Sequence, residues 1–269
     1  VITARVVKVR DKFHISHFTT EAILRKMHTP FSPMANTMAG PMTNFLKQLE
    51  TRITARAWLG FAIALCGLYL MLTLTVHWRA WAQVDWNILH ATQAALPRVV
   101  DAPFSLLSLI GSAEVTGVIF LWLVWRARAA RRLPLFLALG SATMLELLGK
   151  TIVYQPVTPH DLLRYVPLLP LLSSRVHPGF SYPSGHALRA VFLGIVLAEM
   201  LMNSHLHRAM KIGLGVLLLA GEAVMLVSRV YLAEHWFTDV VGGALLGAAF
   251  AFCALAIEIR TRRKTQVVL

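Results

Sequence analysis

Apolar residues in this chain come in long unbroken runs, not in the two- or three-to-four-residue alternation that half-buries a strand or a soluble helix. Ala57–Val76 carries no charge at all, and Pro103–Trp125 carries one carboxylate, Glu114. Leu133–Val153 holds Glu146 and Lys150, and Ala187–Met202, Lys211–Leu232 and Trp236–Ile259 complete the series. A spanning helix needs roughly 20 apolar residues to cross the hydrocarbon layer, so the pattern predicts six transmembrane helices. The fourth run reaches that length only if its helix starts at Ser184-Gly185. Between the first two runs, Trp78, Trp81 and Trp86 followed by Leu89 and Leu96 predict a helix lying in the membrane interface.

Composition agrees with the runs. The 269 residues are 57% hydrophobic and 14% charged, where soluble domains carry about 25% charged residues. A net charge of +13 would fit a nucleic-acid binder if it lay along one exposed face. Here the basic residues are gathered between apolar runs, which excludes that partner and assigns them to membrane lipid. Cys66 and Cys253 each lie within an apolar run and are expected to pack there, not to form a disulfide or bind metal.

The basic clusters also orient the spans. Arg52 and Arg56 precede the first, and Arg126, Arg128, Arg131 and Arg132 separate the second and third. Arg208 and Lys211 separate the fourth and fifth, and Arg260, Arg262, Arg263 and Lys264 follow the sixth. All fall on one side of a six-span topology, so that side and both termini are expected to be cytoplasmic. Residues 1–52 read as a flexible basic cytoplasmic segment, 53–259 as the membrane domain and 260–269 as a basic cytoplasmic tail. The first span is expected to act as an uncleaved signal and anchor, and Met34 and Met42 are candidate starts of translation.

That topology puts chemistry at one end of the bundle. Lys150 ends the third span, His186 opens the fourth, Arg229 ends the fifth, and His235 and Asp239 open the sixth, all on the extracytoplasmic side. His235 and Asp239, four residues apart, share a helix face, where the carboxylate can hold one ring nitrogen and leave the other free. Such an imidazole is a nucleophile toward phosphorus, although the same pair can also simply cap a helix. Pro183-Ser184-Gly185-His186 has the composition of a helix entry: a capping Ser, a Gly that admits close approach, and a helix N-terminus that attracts anions. His186 can act as a general acid. Lys150 and Arg229 supply positive charge suited to phosphoryl oxygens, and Lys150 is also placed to pair with Glu146 one turn earlier. Arg189, one turn after His186, either faces the site or pairs with a carboxylate of a neighbouring span. Glu114, Glu146, Glu199 and Glu222 are costly in lipid and are expected to point into the bundle as interhelical partners.

Ser228-Arg229, His235 and Asp239 together resemble the third signature of the type 2 phosphatidic acid phosphatase (PAP2) superfamily, which also contains the vanadium haloperoxidases. Pro183-Ser184-Gly185-His186 resembles its second. The resemblance covers about Ala57–Ile259 and implies an all-α six-helix membrane bundle with a PAP2/vanadium-haloperoxidase-like core. It implies His235 as nucleophile, Asp239 as its orienting partner, His186 as acid on the leaving group, and Lys150, Ser184, Gly185 and Arg229 as phosphate ligands. It further implies catalysis without metal or other cofactor. The first signature departs from the pattern: seven residues after Lys150, where the family has arginine, this chain has Val157. Arg164 in the same loop is the expected replacement, with His160 and Arg175 less favoured.

The expected activity is hydrolysis of a lipid phosphate monoester or diphosphate, such as a polyprenyl diphosphate, phosphatidylglycerol phosphate or phosphatidic acid, through a phosphohistidine. The expected setting is a bacterial inner or plasma membrane with the site facing outward. A lipid phosphotransferase using the same residues, or a non-catalytic lipid-phosphate binder or transporter, are the alternatives. The long loop Tyr154–Tyr182 is either a lid or a plain connector, and nothing in the sequence fixes an oligomeric state.

Overall fold

A computed structural model of the chain describes residues 33–165 and 179–268, with side chains over 54–109, 111–165 and 179–261. Among the described residues every regular element is a helix. In chain order they are α1 (Pro33–His77), α2 (Ala82–Ala95), α3 (Asp101–Ile110), α4 (Ala113–Arg126), α5 (Ala129–Ile152), α6 (Gly185–Met202), α7 (Arg208–Tyr231) and α8 (Phe237–Val268). Arg175 and residues 1–32 of the basic segment lie outside the described residues, and of residues 33–53 only the backbone is described. Short 3-10 turns at Arg98–Val100 and His160–Leu162 complete the elements.

Among the described residues five helices are long and apolar enough to cross a membrane: Thr54–His77, Ala129–Ile152, Gly185–Met202, Arg208–Tyr231 and Phe237–Thr261. The remaining expected span is not one rod. Arg98–Leu109 and Ala113–Arg126 form a pair bent by 47°, and counting the pair as one crossing gives six. The bend falls at Gly111-Ser112, where the Ser112 hydroxyl accepts from Val115 N at 3.3 Å and so starts α4 afresh. Gly111 is needed there for space: a Cβ on it would stand 2.8 Å from Met225 Cε and 3.0 Å from Cδ2 of His186. The break therefore lies against one of the two histidines and frees α3 to approach α7.

α6 and α8 form the centre, with 44% and 56% of their spans buried against only 6% for α7, which presents Leu217 and Leu219 outward. The central pair packs closely because small residues line it. A Cβ on Gly243 would meet the Ser184 carbonyl oxygen at 2.2 Å, so only glycine lets α8 lie against the start of α6. One apolar cluster (Phe120, Leu123, Leu135, Phe192, Val196, Ala251) joins α4, α5, α6 and α8. Another (Leu89, Ala187, Val230, Trp236, Val240) brings α2 onto the ends of α6, α7 and α8. A helix does form in this stretch, α2, with Trp78 and Trp81 ahead of it and Trp86 within it all exposed, but Leu89 is fully buried in the bundle instead of facing lipid.

The charges within the spans are largely partnered across helices, as expected for a medium that does not solvate them. Arg131 of α5 bonds Glu199 of α6 at 2.5 Å and Glu258 of α8 at 2.6 Å. Glu146 of α5 pairs with Arg189 of α6, while Glu222 packs its carboxyl against Gly194.

Candidate active site

The helix ends that the topology put on one side do converge. His186 lies within electrostatic reach of Arg229, Arg189, His235 and Lys150. Each is delivered by a different local device.

His235 sits in the turn between α7 and α8. Ala233 takes a left-handed φ of 54°, which reverses the chain so that the Arg229 carbonyl accepts both the Glu234 amide at 3.1 Å and the His235 amide at 3.3 Å. His235 Nδ1 then stands 3.3 Å from Asp239 Oδ2. Asp239 is fully buried, and the same oxygen accepts from Trp236 N at 3.0 Å and from the Ser181 hydroxyl. Ser181 Oγ is also 3.3 Å from His235 Nδ1. With Nδ1 facing a carboxylate, the ring can carry its proton there and leave Nε2 bare, the form suited to nucleophilic attack. Ser181 was not foreseen from sequence; it stands three residues ahead of the recognisable Ser184 turn, and only the fold brings it to the pair.

Asp239 also ties the two central helices, because its backbone carbonyl accepts from Ser184 N at 2.9 Å. Ser184 caps α6, its hydroxyl accepting from Ala187 N at 3.4 Å, so its side chain has an ordinary helix-starting role beside any ligand role. Gly185 opens the helix with the Glu146 carboxylate against it: a Cβ there would lie 2.0 Å from Oε1. Glu146 in turn reaches Lys150 Nζ at 3.5 Å and Arg189 Nη1 at 3.2 Å. The i, i+4 pairing of Lys150 is thus present, and it sits beside the helix N-terminus instead of at a distant surface.

Arg229 is wholly buried. Its guanidinium bonds Glu234, the hydroxyls of Ser108 and Ser228 (Nη2 to Ser228 at 2.9 Å) and, more loosely, the Phe104 carbonyl at 3.5 Å. Ser108 and Phe104 come from α3, so the break at Gly111 is what lets this arginine be held from two sides. The sequence pattern offered no sign of either Glu234 or Ser108.

Arg164 goes elsewhere. Its guanidinium donates to the Gln93 carbonyl at 3.2 Å and the Tyr231 hydroxyl at 3.0 Å and lies over the Tyr231 ring at 5.0 Å, none of them members of the His186–His235 cluster. Val157 itself is held near the reacting turn. Pro156 O accepts from Trp236 Nε1 at 2.6 Å and the Thr158 hydroxyl donates to Ala233 O. A further buttress also escaped the sequence. Asp85 of α2, almost fully buried, accepts from Thr238 N at 2.9 Å, Thr238 Oγ1 at 2.7 Å and Gln155 Nε2 at 3.0 Å, pinning the first turn of α8. Burial pushes the Asp85 carboxyl above its ordinary value, the Thr238 donors oppose this, and the nearby Asp239 charge adds to it.

Fold and site together are those of an apolar helix bundle with a cluster of histidines and cations at one end. The sequence profile of the PAP2 superfamily matches residues 131–263, just under half of the chain. The chain is 38% identical over 89 residues to phosphatidylglycerophosphatase B of Bacillus subtilis (strain 168), covering 32% of this chain and 43% of that protein. It is 44% identical over 80 residues to undecaprenyl-diphosphatase of Sulfolobus acidocaldarius, covering 29% of this chain and 34% of the relative. The chain thus spans under half the length of these curated relatives. The crystal structure of a transmembrane PAP2 type phosphatidylglycerolphosphate phosphatase from Bacillus subtilis superposes with a TM-score of 0.56 at 21% identity, over 77% of this chain and 97% of that one. That likeness establishes the fold.

Proposed function

We propose that the protein is a lipid phosphatase that removes a phosphoryl group from a lipid phosphate or diphosphate at the extracytoplasmic membrane surface, through a covalent phosphohistidine at His235. The observation that carries this reading is the buried Asp239 carboxylate facing Nδ1 of His235, with His235, Arg229, Arg189 and Lys150 all within electrostatic reach of His186. Nε2 of His235 attacks phosphorus and forms the N–P bond as the bond from phosphorus to the leaving oxygen breaks. His186 gives that oxygen its proton. Water then attacks the phosphohistidine, the N–P bond breaks, His186 takes back the proton and inorganic phosphate departs. Lys150, Arg229 and the amides at the start of α6, with Ser184 and Gly185, hold the phosphoryl oxygens as charge spreads over them.

A lipid is favoured because every one of these groups lies at the end of a membrane-spanning helix or in the turn beside it, where a headgroup reaches the site while its chains remain in the bilayer. The outward face follows from the cytoplasmic clustering of Arg and Lys between the spans. Two relatives are named for phosphatidylglycerophosphate and undecaprenyl diphosphate activities, so both lipids belong in the test, with phosphatidic acid. Detergent-purified protein is expected to release phosphate from at least one of the three with a chelator present, and His235→Ala is expected to release none. Equal release by the variant, or no release by the wild type from any lipid of the panel, contradicts the proposal.

A further inference from the structure

Resting on the phosphatase reading, we propose that Arg189 is the cation that completes the phosphate site in place of the arginine missing at position 157, and that Glu146 holds it ready while no phosphate is bound. Position 157 has not moved away from the chemistry. Its neighbours are bonded to Trp236 and Ala233 on either side of His235, yet it carries a valine that pairs with no anion. Arg164, the next arginine along the chain, is bonded to Gln93 and Tyr231.

Arg189 has the placement that Arg164 lacks. It follows His186 by three residues on α6, so both side chains lie on one helix face. Its Nη1 donates to Glu146 Oε2 at 3.2 Å, while its Nε is buried with no hydrogen-bond partner. A buried donor left unsatisfied costs about 1–3 kcal/mol. A structural ion pair has no reason to retain that cost, whereas a phosphate oxygen arriving beside the guanidinium removes it.

The location of the Glu146 carboxylate points the same way. It lies against Gly185, at the first turn of α6, and gathers Lys150 as well as Arg189. A planar anion held by two cations beside a helix N-terminus occupies the surroundings that suit a phosphoryl group. When a lipid phosphate enters, Lys150 and Arg189 exchange one carboxylate for phosphoryl oxygens by side-chain rotation alone. Glu146 is thus a positioning residue, and Arg189 touches substrate.

The test uses the purified full chain and a lipid phosphate that the wild type hydrolyses. The double variant Glu146→Gln with Arg189→Met removes one charge of each sign and leaves Lys150 the glutamine carbonyl as its neighbour. It is expected to keep the wild-type melting temperature within a few degrees and to lose kcat/KM by a factor on the order of 10². Adding Val157→Arg to it is expected to recover about tenfold or more, since the new guanidinium starts beside the same turn. Glu146→Gln alone, with the placeholder charge gone, is expected to be inhibited more strongly by inorganic phosphate. A folded double variant that retains kcat/KM within about threefold of wild type overturns the proposal, and so does a failure of Val157→Arg to restore activity. If the double variant does not fold, Arg189→Lys decides. Lysine keeps a charge for Glu146 but not the two-oxygen grip, so kcat should fall about tenfold at unchanged melting temperature, and an unchanged kcat refutes the assignment. Wild-type turnover in the same preparation separates the two failures: no turnover sinks the phosphatase reading, and turnover indifferent to Arg189 sinks only this one.

Discussion

Replacing Asp239 with asparagine isolates one electrical effect in the site. Oδ2 of Asp239 receives the Trp236 amide at 3.0 Å, the Ser181 hydroxyl, and His235 Nδ1 at 3.3 Å. An asparagine of the same shape keeps a carbonyl oxygen for the first two donors, so the turn before α8 should survive. Charge-assisted bonds become neutral ones, which costs stability about 1–3 kcal/mol. The larger effect is on the ring. The neutral amide oxygen left facing Nδ1 holds a ring proton there far more weakly than the carboxylate did and no longer offsets positive charge on the ring, so the proton is free to sit on Nε2, where it blocks attack. Loss of tautomer control in a carboxylate–histidine pair costs roughly 10⁴ in kcat, or about 5 kcal/mol of barrier. The assay is initial-rate phosphate release by Asp239→Asn and wild type, with melting temperatures measured on the same samples. A variant within about tenfold of the wild-type kcat, or one whose loss only follows its unfolded fraction, refutes the assignment of Asp239 as the group that sets the His235 tautomer.

Other consequences follow from particular contacts. Gly243→Ala puts a methyl 2.2 Å from a backbone oxygen of Ser184 that cannot swing aside. It should lower stability by about 1–3 kcal/mol and reduce activity with it, and a variant with wild-type melting temperature and rate would show that the two helices do not meet there. The raised carboxyl of Asp85 gives a pH signature. A carboxyl raised by folding stabilises most below its unfolded value of about 3.9, and this contribution is lost as pH rises through the folded value. The melting temperature of the wild type relative to Asp85→Asn should therefore fall as pH rises above about 4; a difference that does not change with pH contradicts the placement of Asp85.

The spans and the polar end of the bundle were legible in the sequence because apolar runs stop abruptly at Lys150, His186, Arg229 and His235, and a membrane tolerates such residues only at a boundary or in a cavity. The bend in the second crossing was not legible, since hydropathy continues across Gly111-Ser112 and registers no angle. Partners were harder still. Glu234, Ser181 and Asp85 are ordinary letters in a string, and only distance makes them ligands of Arg229, His235 and the α8 entry. The direction of Arg164 was unreadable for the same reason: a flexible cation in a loop takes whichever acceptors the fold offers, and Gln93 and Tyr231 are separated from it by 71 and 67 positions.

The central claim is a phosphoryl group carried on His235, and the most direct measurement is to catch it there. Protein turning over a lipid phosphate is quenched rapidly in alkali, where phosphohistidine survives, then digested and weighed by mass spectrometry. The account predicts the added mass of one phosphoryl group on the peptide bearing His235, present in the wild type during turnover and absent in His235→Ala. Active wild type that never carries phosphate on that peptide, or a phosphoryl group found on His186 instead, would contradict it.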